Sequence, residues 1–82
     1  MAITQEDVNW CWEQAHTVRG RDPALYRRDE LGNVIYKPSY GKQGEMSWQI
    51  DHRNPVAAGG TDSRRNLRVL QTGANQRKSD KR

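Results

Sequence analysis

A chain of 82 residues is one small domain, because two cores would each fall below the size at which folding buries enough surface. Leu, Ile and Val number only 12 and Phe is absent, yet 14 basic against 10 acidic side chains leave a net charge of just +4, and three Trp and three Tyr add aromatic bulk, so a thin-cored folded domain is expected rather than a disordered one. No apolar run reaches 18 residues, no signal-like stretch opens the chain, and a lone Cys11 can form neither an internal disulfide nor a CxxC zinc knuckle, so an intracellular protein without a membrane partner is expected.

Residues 4–18 open on Thr4, whose hydroxyl can accept from the amide of Asp7, and carry Val8, Cys11, Trp12, Ala15 and Val18 at helical spacing. This predicts an amphipathic helix. Gly20 suits a left-handed cap and Asp22-Pro23 blocks continuation, so the helix is expected to end near Arg19. Residues 25–28 and 34–37 flank Asp29-Glu30-Leu31-Gly32-Asn33 and predict a β-hairpin, and residues 38–44, with Pro38, Gly41 and Gly44, predict a loop. Through residues 46–51, Met46, Trp48 and Ile50 alternate, as in a strand packed on one side. Pro55 and Gly59-Gly60 force a loop, residues 67–71 predict a second strand, and Thr72 can cap a helix reaching about Lys81.

The expected class is therefore α+β in a single domain over 1–82: a supporting helix and hairpin over 1–45, then strand, loop, strand and helix over 46–82. Trp12 and Trp48 fall on the apolar faces and are core candidates. Trp10 lies off them and stays open between surface packing and base stacking. His16 reads as a helix-surface histidine.

Charge divides the chain the same way. Residues 1–50 carry six basic and seven acidic side chains, whereas residues 51–82 carry eight basic and three acidic. A basic C-terminal third is the footprint of a polyanion binder, with a merely solvated face as the plain alternative.

The densest chemistry lies in Asp51-His52-Arg53-Asn54-Pro55-Val56-Ala57-Ala58-Gly59-Gly60, followed by Asn66-Leu67, Asn75 and Lys78. Here the chain resembles the HNH endonucleases, the ββα-metal or His-Me finger group, whose pattern reads D-H-x-x-P-x-x-x-G-G, then N-L, then H or N, then K. Nine positions match in order across 28 residues, with 14 positions from His52 to Asn66 and nine from Asn66 to Asn75. Upstream, Trp12, Asp22-Pro23, Tyr26-Arg27-Arg28-Asp29 and Tyr40-Gly41 look like the lead-in of short stand-alone HNH proteins of phages and bacteria.

Phosphodiester hydrolysis needs an in-line nucleophile, neutralised phosphoryl oxygens and a stabilised leaving oxygen. The resemblance implies that His52 is the general base, a task imidazole suits because it exchanges protons near neutral pH. It implies that Asn66 fixes the loop carrying His52 through backbone hydrogen bonds, and that Asp51 and Asn75 hold one divalent cation. Their hard oxygens favour Mg²⁺ or Mn²⁺ over Zn²⁺ or Ni²⁺, which a histidine in place of Asn75 would suit better. Asp51 and His52 point to opposite faces of a strand, so serving one phosphate requires the strand to end there, and Arg53-Asn54-Pro55 supplies the end. On the last helix Asn75, Lys78, Ser79 and Arg82 share a face. Lys78, Arg53, Arg68, Arg77 and Arg82 are the leading candidates for nucleic-acid contacts, with Arg64 and Arg65 beside them, and Asp62 or Ser63 reads as a turn cap.

The resemblance thus implies a metal-dependent endonuclease that nicks DNA one strand per site, as a monomer in the cytoplasm of a bacterial or phage-infected cell, with room for a protein partner. The competing expectation is a non-catalytic nucleic-acid-binding module on the same scaffold.

Overall fold

The computed structural model of the chain describes residues 3–80, with side chains through Gln76. Helix α1 spans Gln5–Gln14 and starts as predicted. Thr4 Oγ1 accepts from the Asp7 amide and Asp7 Oδ2 accepts from the Thr4 amide, both at 3.1 Å, a reciprocal capping box. The Thr4 amide, with the Arg64 guanidinium, holds the Asp7 carboxyl below the ordinary carboxylate range.

The helix stops at Gln14 instead of continuing to Arg19. Ala15 is extended, and the last carbonyls are satisfied from a distant residue: Arg27 Nη1 donates to Glu13 O at 3.1 Å and to Ala15 O at 3.2 Å. With its end capped this way, the chain enters strand β1 (His16–Thr17), which pairs antiparallel with β2 (Tyr26–Arg28). His16 is therefore an exposed strand residue opposite Arg28, not a helical one. Gly20 does adopt a left-handed φ of +80°, in the turn between β1 and β2.

Strand β3 (Val34–Tyr36) completes the predicted hairpin with β2. Asp29 builds its turn. Only 1% exposed, its carboxylate accepts from the amides of Leu31 and Asn33 at 3.0 and 2.8 Å, and from the amide of Gln71 at 2.9 Å. One buried side chain thus shapes a turn and ties it to the far half of the chain.

The second sheet pairs β4 (Trp48–His52) with β5 (Leu67–Gln71), antiparallel, with Asp51 opposite Arg68 and His52 opposite Leu67. β4 begins later than predicted: Met46 is exposed and its carbonyl accepts from the Tyr36 amide at 2.9 Å, while the Ser47 hydroxyl turns back to Gly44 O at 2.7 Å. Helix α2 (Thr72–Asp80) follows β5 directly. Thr72 is its first residue and not its cap, since its amide donates to Ser47 O at 2.9 Å and its hydroxyl to Lys42 O at 3.5 Å.

Trp12 and Trp48 fill the core between α1 and the second sheet, each 1% exposed, their rings 5.1 Å apart, with Val8, Cys11, Ile35, Leu67 and Val69 around them. Their indole N–H groups donate to Pro23 O at 3.2 Å and Tyr36 O at 2.9 Å, so this aromatic bulk is buried without an orphaned donor. Two tryptophans supply what Phe and Leu supply elsewhere. Burial pushes the Cys11 thiol above its ordinary pKa, as expected of a core thiol. Among the described residues no buried side-chain polar atom lacks a partner, and no helix is long and apolar enough to cross a membrane.

Candidate active site

Strand β4 ends at His52, and Arg53 and Asn54 bend away from it. The loop that follows is closed at its neck by Asn66. Its Oδ1 accepts from the Asn54 amide at 2.8 Å, its Nδ2 donates to Asn54 O at 3.0 Å and to Thr61 O at 2.7 Å, and its carbonyl accepts from the Arg53 amide at 2.8 Å. One side chain bridges both ends of the loop by accepting once and donating twice, which neither a hydroxyl, with one hydrogen, nor a carboxylate, with none, could do. Gly59 takes a left-handed φ of +91°, and a Cβ on Gly60 would run into the Asn54 carbonyl, so each glycine has its own reason to be there.

His52 Nε2 lies 2.7 Å from Asp62 Oδ1, both side chains about three-quarters buried. A carboxylate only accepts, so Nε2 carries the hydrogen of this contact. Asp62, anticipated only as a turn cap, is thus the anchor of the histidine ring.

Asp51 is 8% exposed, and its Oδ2 accepts from Arg68 Nε at 2.8 Å. Arg68 Nη1 reaches on to Glu30 Oε2 at 3.0 Å, and Glu30 also receives Arg53 Nη1 at 2.7 Å. Burial alone would raise the Glu30 carboxyl, but the hydrogen bonds from Arg53 and Arg68 outweigh it and hold it below the usual glutamate range. Burial likewise opposes the charge on Arg68, yet Glu30 and Asp51 hold its pKa above the ordinary guanidinium value. Arg53 and Arg68, expected to face nucleic acid, are therefore also members of a chain of alternating charges running to Asp51.

Asn75 sits on α2 with its Nδ2 donating to Gln49 Oε1 at 2.7 Å, which directs its own amide oxygen away from that contact. Gln49 and Asp51 are two apart on β4 and share a face by strand alternation, so Asn75 packs over the side of β4 that carries Asp51. Asp51 and His52 leave the strand on opposite faces, at its last two positions. A buried carboxylate and an oriented amide are hard oxygen donors, a set that fits a Mg²⁺- or Mn²⁺-type ion completed by water and substrate. Among the described residues no three His, Cys, Asp or Glu side chains converge, and the expected donor pair, one carboxylate and one amide, is sparser than such a cluster. The expected contacts of Arg77 and Lys78, and all of Arg82, lie outside the described residues.

Glu30 and Asp62 are the members of this arrangement that sequence reasoning did not place. Asp62 had a signal, an acidic residue inside the loop between His52 and Asn66; Glu30, in a distant hairpin turn, had none. Comparison with protein-family models, with curated proteins and with solved structures finds no match.

Proposed function

We propose that the chain is a metal-dependent endonuclease of the HNH type, hydrolysing DNA phosphodiester bonds one strand per site. The observation that carries this reading is the histidine that closes β4, ring-anchored by Asp62 2.7 Å away, on a loop locked by Asn66 and next in sequence to a buried carboxylate.

In the reaction His52 Nδ1 takes a proton from water, the resulting hydroxide attacks phosphorus in line, and the P–O3′ bond breaks as the 3′ oxygen takes a proton from solvent, leaving a 5′-phosphate and a 3′-hydroxyl. Asp62 accepts from Nε2–H and holds the ring in the tautomer a base needs. Asn66 fixes the backbone around His52, so its part is to keep the base on line. Asp51 and Asn75 would hold the cation, which when bound neutralises the phosphoryl and leaving oxygens. Arg68 orients the Asp51 carboxylate by taking one of its oxygens.

The test is conversion of supercoiled plasmid to open circle with Mg²⁺ or Mn²⁺, with and without EDTA, beside His52→Ala and Asn75→Ala. Loss of the base should lower the rate by about 10²–10⁴-fold. The same ions should raise the melting temperature of wild type, and less that of Asn75→Ala. Equal nicking by wild type and His52→Ala, or nicking indifferent to EDTA, overturns the proposal; salt-dependent plasmid binding with no nicked product identifies a binding module instead.

A further inference from the structure

A cavity of about 400 Å³ opens between α1, β1 and the start of β5, and neither Asp51, His52 nor Asn75 lines it. Its charged wall is made by Arg28, Arg53, Arg64, Arg65 and Arg68, with Glu30 as the acid among them and Trp10 at the side. The guanidinium of Arg64 lies 5.6 Å from the centre of the Trp10 ring. Three of the five arginines meet three carboxylates: Asp7 on Arg64, Asp51 on Arg68, and Glu30 on both Arg53 and Arg68. Among the described residues neither Arg28 nor Arg65 has a carboxylate against its guanidinium; Arg28 Nη1 donates to Gly32 O at 2.9 Å, which leaves Arg65 as the surplus cation.

Glu30 reports what this wall is shaped to hold. A single oxygen, Oε2, receives Arg53 Nη1 at 2.7 Å and Arg68 Nη1 at 3.0 Å, so two forked donors from different elements already converge on an oxyanion. The residue that supplies that oxyanion sits on a hairpin turn, its side chain one-third exposed, and among the described residues it is tied down by those two arginines. A phosphate offers more acceptor oxygens and suits guanidinium forks at least as well as a carboxylate does.

We propose that this cavity is a second phosphate subsite, taking a backbone phosphate of the nucleic-acid strand beside the scissile one, with Glu30 as the placeholder it displaces. The inference rests on the nucleic-acid reading above and adds a residue set shared between the two halves of the chain. Arg68 joins the two places: its Nε holds Asp51 on the cleavage side and its Nη1 faces the cavity. Trp10, half-buried in the wall, is the built-in reporter.

The experiment is the salt dependence of binding to a short duplex in EDTA, where no cleavage intervenes, followed by tryptophan fluorescence and by a labelled oligonucleotide. Arg65→Ala should weaken binding several-fold and lower the slope of log K against log salt by about one, with Arg65→Lys restoring it. Glu30→Gln should tighten binding several-fold. Arg19→Ala makes the same charge change on an exposed turn away from the cavity and should do neither. If Arg65→Ala and Glu30→Gln change binding no more than Arg19→Ala, the subsite is wrong, whether or not the protein nicks. If both behave as expected while no metal supports nicking, the subsite stands and the hydrolase reading falls. Inorganic phosphate is the second probe. Should it saturate the fluorescence change where the duplex does not bind, the occupant is a free phosphate and the nucleic-acid assignment is overturned.

Discussion

The two halves of the molecule use their charges differently. In the N-terminal half, three charged groups are spent on backbone: Arg27 on the carbonyls that end α1, Arg28 on Gly32 O at 2.9 Å, Asp29 on the amides of Leu31, Asn33 and Gln71. In the C-terminal half they are spent on one another, His52 with Asp62 and Arg68 with Asp51. A carboxylate buried against backbone, as Asp29 is, is committed, because removing it takes the acceptor from the amides it holds. A charge paired with another side chain can exchange that partner for a ligand. The first kind builds the support and the second builds a site.

Disrupting the support should therefore cost stability first, and the largest such effect belongs to Asp29. Asp29→Ala leaves the amides of Leu31, Asn33 and Gln71 without their acceptor, at about 1 kcal/mol each, so roughly 3 kcal/mol in all. For a chain of this size that lowers the melting temperature by on the order of 15 °C. Asp29→Asn keeps one acceptor oxygen and should recover part of the loss. Thermal denaturation of the two variants checks the claim; an Asp29→Ala protein that melts like wild type would erase the distinction between the halves.

Asp62 is the corresponding probe of the other half. Asp62→Ala should slow nicking by about tenfold to a hundredfold, since a ring free to turn misplaces its nitrogen. Duplex binding and melting temperature should hardly move, because the side chain is partly exposed and supports one ring. The effect should lie in kcat rather than KM, and Asp62→Asn, which can still accept from Nε2–H, should rescue most of it. A loss confined to KM would make Asp62 a binding residue and not the anchor of the base.

What could be read from the chain alone follows from distance along it. The capping box at Thr4 and Asp7, the β2–β3 hairpin and the β5 strand rest on signals within a few residues, and each lies where alternation and turn chemistry put it. The end of α1 could not be read that way. Val18 continues the helical spacing, but the cap that stops the helix is Arg27, and β1 is too short to leave a pattern. The same limit governs the candidate site. The order Asp51, His52, Asn66, Asn75 is visible as a motif, and the loop-closing bonds of Asn66 are local to it. The Glu30 bridge is not, because a hairpin turn and the ends of two strands meet only once the halves pack.

That bridge also explains how a support of net −1 stays attached to a strongly basic partner. Asp7 and Glu30 are acids of the first half, and both cross to arginines of the second, Arg64 and the Arg53–Arg68 pair. Because the folded pKa of Glu30 is lowered, its stabilisation is present above the ordinary glutamate value of about 4.3 and is lost as pH falls through the lower folded value. Denaturant midpoints taken between pH 6 and 3 should therefore fall more steeply for wild type than for Glu30→Gln, and the two curves should approach each other at the acid end. With its side chain one-third exposed, the difference should stay below about 1 kcal/mol. Parallel curves would mean that Glu30 does not clamp the halves together. It would then hold the arginines apart only until a better anion arrives, and the comparison would rest on Asp7 alone.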